Sequence, residues 1–95
     1  MEIKSTSNSV IITGNIKSIM DFQSIKTELD ALSKTTKTIT IDIKDSLSMT
    51  SSAIGYFTKL ILKDGISIHM KIGNAQLFEL LTDLNLAGTF KATKV

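Results

Sequence analysis

The chain has 95 residues, of which 42% are hydrophobic and 21% charged, and a formal net charge of +2; this is the balance of one globular domain with a single core, not of a disordered segment. All 11 basic residues are Lys and they are scattered, for example Lys4, Lys17, Lys44, Lys63 and Lys91, so the planar fork that grips phosphates and guanine edges is missing and nucleic-acid binding is not expected. The absence of Cys excludes a disulfide framework, a thiolate metal site and a cysteine nucleophile, and with no apolar run of membrane length and no leader over Met1 to Val10 the expected location is cytoplasmic, without membrane insertion.

Met1 to Ser5 alternates apolar Met1 and Ile3 with charged Glu2 and Lys4, and Ser7-Asn8 suits a turn into Val10 to Ile16, which predicts an opening hairpin whose second strand is closed by Gly14-Asn15. Ser18 and Asp21 resemble a capping box. The helix that follows carries Phe22, Ile25, Leu29 and Leu32 at steps of three and four, with Lys26, Glu28 and Asp30 off the stripe. From Thr38 the alternation is strict: Ile39, Ile41 and Ile43 lie on one face, Thr38, Thr40, Asp42 and Lys44 on the other, the pattern of a strand with one buried face.

Thr50, Ser51 and Ser52 open a second helix, with Thr50 or Ser51 as its N-cap and Ile54, Phe57 and Ile61 as its core stripe. Tyr56, Leu60 and Lys63 form a second stripe, which suits either a helix wedged between neighbours or an exposed docking patch continuous with Ser51 and Ser52. After a break at Asp64-Gly65, Ile66, Ile68, Met70 and Ile72 alternate with Ser67, His69 and Lys71 as another strand. Gly73-Asn74 starts a third helix from Ala75 to about Leu84, with Leu77, Leu81 and Leu84 as its stripe, widened by Phe78 and Leu80, and Asn85 suits the left-handed residue that ends it. Thr89 to Val95, where Phe90 and Ala92 alternate with Lys91 and Thr93, reads as an edge strand.

The order β-β-α-β-α-β-α-β implies parallel pairing through right-handed crossovers. Strands covered on both faces read as continuous apolar runs, whereas three of these five alternate cleanly. The expected fold is therefore α/β: one domain over residues 1–95, a mixed five-stranded sheet in the order 1-2-3-4-5 with the first strand antiparallel, three helices on one face and a polar opposite face.

Little in the sequence points to catalysis. His69 is the single histidine, on the polar face of a strand, with no second His, no Cys and no paired carboxylates to complete a metal site. The G-x-S-x-G elbow of serine hydrolases and the phosphate-cradling G-x-x-x-x-G-K-[ST] loop are both absent. No enzyme activity, metal or cofactor is expected.

The segment from Thr38 to Gly55 resembles the centre of STAS domains, the sulfate-transporter and anti-sigma-factor-antagonist family, whose pattern runs roughly D-L-S-x-V-x-x-I-D-S-S-G-L-G. The matching residues are Asp42, Ile43, Lys44, Met49, Thr50, Ser51, Ser52, Ala53, Ile54 and Gly55. Thr50 stands where the family has an acid and Ala53 where it has glycine. Shorter matches are Gly14-Asn15-Ile16 for G-E-L and Leu84-Asn85-Leu86 for T-G-L, and the element order is also the family's.

The resemblance implies a bacterial partner-switching module similar to single-domain anti-sigma factor antagonists. Its partners would be a serine kinase of the anti-sigma-factor type and a serine phosphatase. Ser52 would be the phosphorylated residue, with Ser51 and Thr50 as alternatives, and Thr50, Ser51, Ser52, Ala53, Tyr56 and Leu60 would contact the partner. A phosphoserine brings about −1.5 to −2 charges into such an interface. Two other readings stay open: a constitutive STAS-like subunit of a signalling or transport assembly, favoured by Thr50 and Ala53, and a small-ligand or nucleotide site at Asn15, Ser46 to Ser52 and Gly73-Asn74.

Overall fold

The computed structural model, which covers residues 1–95, contains strands β1 (Glu2–Ser5), β2 (Ser9–Thr13), β3 (Thr38–Ile43), β4 (Ser67–Ile72) and β5 (Ala92–Lys94) and helices α1 (Ile19–Ser33), α2 (Ser51–Leu62) and α3 (Ala75–Asp83). The strands form one sheet in the order β1-β2-β3-β4-β5. β1 pairs antiparallel with β2, and every other pair is parallel. Architecture and strand order thus match the sequence-based expectation.

Register aligns the apolar residues of successive strands into rows. Val10 lies opposite Ile41, Ile41 opposite Met70, and Met70 opposite Ala92; Ile12, Ile43 and Ile72 form the next row. Apart from Ala92, which is half-buried against it, these side chains with Ile39 and Ile68 belong to one buried core that also takes Ile25, Leu29 and Leu32 of α1, Ala53, Tyr56, Phe57 and Leu60 of α2, and Leu77 and Leu81 of α3. All three helices therefore cover the same face of the sheet. The opposite face presents Thr13, Thr38, His69 and Lys71 to solvent, with Ile11, Thr40 and Asp42 half-buried among them. Burying one face of each strand is what the two-residue period dictates.

Helix ends follow local chemistry. Ser18 caps α1 in a full capping box: its hydroxyl accepts from the Asp21 N–H at 3.1 Å, and the Asp21 carboxylate accepts from the Lys17 and Ser18 N–H groups. The Lys17 bond above all holds the Asp21 carboxyl below its usual pKa range. Asn74 caps α3 through bonds to the Gln76 and Leu77 N–H groups, and Asn85, at φ 59°, takes the left-handed conformation just past its end.

Three local expectations need correction. The buried side of α2 is Ala53, Tyr56, Phe57 and Leu60, while Ile54 and Ile61 are only half-buried; the core-facing arc is turned toward α1, which packs against the Tyr56 side. β5 is confined to Ala92–Lys94. Phe90 is fully buried from the turn before it, where Phe90 N–H bonds to the Leu86 carbonyl at 2.9 Å and Lys91 sits at φ 48°. Leu84 lies beyond the last turn of α3 and is 49% exposed, so it is not part of the stripe.

Candidate functional site

The segment singled out by sequence lies where β3 leaves the sheet and turns into α2. Two loops meet at this carboxyl edge of the parallel strands, one following β2 and one following β3, and side chains fasten them together. The Gly14 N–H donates to Asp45 Oδ1 at 2.7 Å, the Ile16 N–H to Ser46 Oγ at 3.0 Å, and the Leu47 N–H to Asn15 Oδ1 at 2.9 Å. Ser46 Oγ in turn donates to the Ser48 carbonyl at 2.6 Å, and it is the one fully buried polar residue of the chain. Gly14, at φ 89°, supplies the left-handed turn that lets the first loop reach the second. A third contact comes from the β4 side, where the Gly73 N–H donates to the Ile43 carbonyl at 2.9 Å and a Cβ on Gly73 would overlap the Lys44 carbonyl.

On this fixed base Thr50 is the N-cap of α2, its Oγ1 accepting from the Ala53 N–H at 3.1 Å and its carbonyl from the Ile54 N–H at 3.0 Å. Ser51 and Ser52 are the first two helical residues, and both are exposed. Their N–H groups belong to the first turn, which has no intrahelical acceptors. No acidic side chain occupies that turn, so its positive dipole end is uncompensated.

Tyr56 and Leu60 do not share this exposure. Tyr56 is 6% exposed and Leu60 fully buried, as is Ala53; the docking patch expected from the second stripe is therefore absent, and of its members only Ser51 and Ser52, with half-buried Thr50, reach the surface. The cause is α1. Phe22 packs edge-on to the Tyr56 ring at 5.9 Å between centroids, and the Tyr56 hydroxyl donates to the Asp30 carboxylate. Lys26 bonds the same carboxylate at 2.8 Å, and the Lys26 and Lys59 ammonium groups lie 5.9 and 5.8 Å from the centre of the Tyr56 ring. Burial, then the bond to Asp30, pushes the Tyr56 hydroxyl pKa well up. Burial opposes ionisation of Asp30, but Lys26 and Tyr56 outweigh it and hold its carboxyl below the usual range.

Apolar side chains do line the same edge, from positions the hydrophobic periodicity left out. Leu47 in the loop before α2 is 45% exposed, and Ile19 in the first turn of α1 is 73% exposed. The one signal for them in the sequence is that each is apolar yet off every stripe.

Of the loop residues expected to line a small-ligand site, three use a side-chain oxygen within the fold: Asn15 Oδ1 accepts from Leu47 N–H, Ser46 Oγ from Ile16 N–H, and Asn74 Oδ1 from Gln76 N–H. His69 is exposed opposite Thr40 on the open face. No group of three or more His, Asp or Glu side chains comes together as a metal cage, and no helix is long and apolar enough to cross a membrane. Comparison with protein-family models, with curated proteins and with solved structures finds no match for this chain.

Proposed function

We propose that this chain is a non-enzymatic, cytoplasmic protein-interaction module that docks its partner with the first turn of α2 and the apolar rim beside it, and that Ser52 is its phosphorylation switch. The observation that carries the reading is the division of labour among three hydroxyls: Thr50 takes the capping bond, which leaves Ser51 and Ser52 exposed. Thr50 also makes the cap that an acid makes at that position, so replacing the acid of the STAS pattern keeps the helix start intact and removes only a charge.

A phosphate on Ser52 meets unpaired N–H groups and the positive end of the α2 dipole, with no acidic neighbour in the turn to repel it. The fold of the module is therefore retained on modification. The partner's surface, fitted to a neutral serine in the first turn of α2, faces a charged and strongly hydrated group and lets go. The expected partner is a serine kinase of the anti-sigma-factor type, with a serine phosphatase resetting the cycle.

The test is incubation with the serine kinase encoded nearest to this chain and ATP, followed by mass spectrometry of the peptide spanning residues 45–59. Phosphate on Ser52, lost in Ser52→Ala, is the expected result. Phosphate on Ser51 or Thr50 would move the site by one or two residues, and none with any such kinase would replace the switch by a constitutive interaction subunit.

A further inference from the structure

β1 stands at one edge of the sheet and pairs only with β2, so one side of its backbone is free. The Thr6 N–H donates to the Ser9 carbonyl at 2.8 Å, and on the other side of β2 the Thr40 and Lys44 N–H groups reach the carbonyls of Asn8 and Ile12. Antiparallel bonding alternates from residue to residue, so Glu2, Lys4 and Thr6 direct their backbone groups at β2, while Ile3 and Ser5 direct theirs at the free edge. Pairing with β2 runs without a bulge from Glu2 opposite Thr13 to Ser5 opposite Val10, and the strand contains no proline. Of the usual devices that blunt an edge, bulge and proline are absent; the strand's length of four residues and its two charges are those present.

Glu2 and Lys4 are exposed and, with their partners Thr13 and Ile11, lie on the open face; Ile3, opposite Ile12, lies on the core face and is half-buried. Beside Ile3, α1 leaves a groove lined by Met20, Gln23, Ser24, Thr27 and Glu28. Met20 there is 77% exposed.

We propose that this edge is a homodimer interface, in which β1 of a second copy adds antiparallel across a two-fold axis through Ile3 and joins the two sheets into one. The register follows from the backbone phase. Outward-bonding residues must lie opposite outward-bonding residues, which leaves registers centred on Glu2, Ile3 or Lys4 over this strand. Centring on Glu2 sets glutamate against glutamate, and centring on Lys4 sets lysine against lysine. Centring on Ile3 sets Glu2 of each copy against Lys4 of the other, Ile3 against Ile3, and Ser5 against Met1 as a further bonded pair. Charge complementarity thus selects one register of three, and the contact is self-complementary, as a two-fold interface must be. The axis lies along the sheet normal, so both α1 helices flank the Ile3 pair on the same side, and Met20 of each copy gains apolar cover. The one charge lining that groove, Glu28, is already engaged by the Ser5 hydroxyl at 2.8 Å.

The test uses sedimentation equilibrium of the full chain over a range of concentration, with circular dichroism as the check on folding. The wild-type mass is expected to rise toward twice 10.4 kDa. Lys4→Glu and Glu2→Lys are surface changes that leave the fold intact, and each sets two like-charged pairs across the axis, so each weakens dimerisation on the order of tenfold. Mixing the two variants restores association, because the all-acidic edge of one then faces the all-basic edge of the other. A wild-type chain that stays monomeric at its highest soluble concentration overturns the proposal, as does a single variant that dimerises like wild type or a mixture that associates no better than its components. The α2 start follows β3, which is two strands away from this edge, so failure here leaves the proposed function standing and failure of that function leaves the dimer standing.

Discussion

Ser52 and Tyr56 are one helical turn apart on the same side of α2, yet the first is exposed and the second is nearly sealed. The difference is supplied from outside the helix: Phe22, Lys26 and Asp30 of α1 close over Tyr56, while Ser52 lies beyond their cover. An exposed first turn is thereby set on an element whose next turn is bolted down. Under the proposed reading, charge added at Ser52 would change the surface offered to a partner without having to move the core.

The largest expected effect tests the frame on which this contrast rests, since β3 shows the same opposition between adjacent residues. Ile41 is fully buried and Thr40 half-buried on the open face. Ile41→Asp places an unpaired carboxylate under the helices and is expected to cost more than about 4 kcal/mol, enough to prevent folding. Thr40→Asp is expected to keep a cooperative thermal transition close to wild type. Equal losses in the two variants, measured by circular dichroism melts, would dissolve the distinction between the faces.

Tyr56 comes next. Tyr56→Ala is expected to cost about 3 kcal/mol through the cavity it leaves. Tyr56→Phe keeps the ring, removes the bond to Asp30, and is expected to cost about 1 kcal/mol because Asp30 retains Lys26 and much of its hydration. The pH dependence gives a sharper signature. The folded state holds the Tyr56 proton more tightly than the unfolded chain, whose ordinary value is 10.0, so stability supplied by this group is complete below that value and is lost as pH rises above it. Asp30, depressed from 3.8, contributes stability that is present above that value and lost as pH falls below it. Denaturation at a series of pH values should therefore show wild type losing its advantage over Tyr56→Phe above about pH 10. A constant difference between the two across that range would mean that the hydroxyl is not held by Asp30.

Thr50→Ala removes the capping bond to Ala53 and is expected to destabilise by about 1 kcal/mol. Urea titration checks it. A neutral result would mean that Ser51 takes over the cap, which would withdraw one of the two hydroxyls from the surface and weaken the assignment of free serines to this turn.

The sheet was legible in the sequence because a two-residue period leaves one solution for each strand: Ile39, Ile41 and Ile43 have to share a face. Helix α2 was less so. It is apolar nearly all round, with Ile54, Tyr56, Phe57, Leu60, Ile61 and Leu62, and spacing by three or four fits more than one arc. Only the position of α1, a tertiary fact, selects the arc containing Ala53, Tyr56, Phe57 and Leu60. The fastening of the loops by Asn15, Asp45 and Ser46 was illegible for a different reason. A short polar residue in a loop has the same local appearance whether its side chain is in water or bonded to a backbone 30 to 32 residues away. The serine pair, in contrast, was placed correctly at the helix start because capping is local chemistry.

The smallest effect on stability belongs to the residue on which the proposed function turns. Ser52→Asp puts a carboxylate in the first turn of α2, where the dipole favours it by about 0.3–1 kcal/mol and where no other acid stands; its melting temperature is expected to equal or slightly exceed that of wild type. Tyr56, one turn on, offers no such tolerance. Partner binding should respond in the opposite sense, with Ser52→Asp weakened and Ser52→Ala close to wild type, as isothermal titration with the proposed serine kinase would show. The two measurements must be read together. A Ser52→Asp chain that loses stability would place this side chain in packing contact that exposure argues against, and one that stays folded and binds as well as wild type would take Ser52 out of the interface. Retained fold with lost binding is the combination that a switch on a bolted helix requires, because it assigns the whole effect to the surface of the first turn.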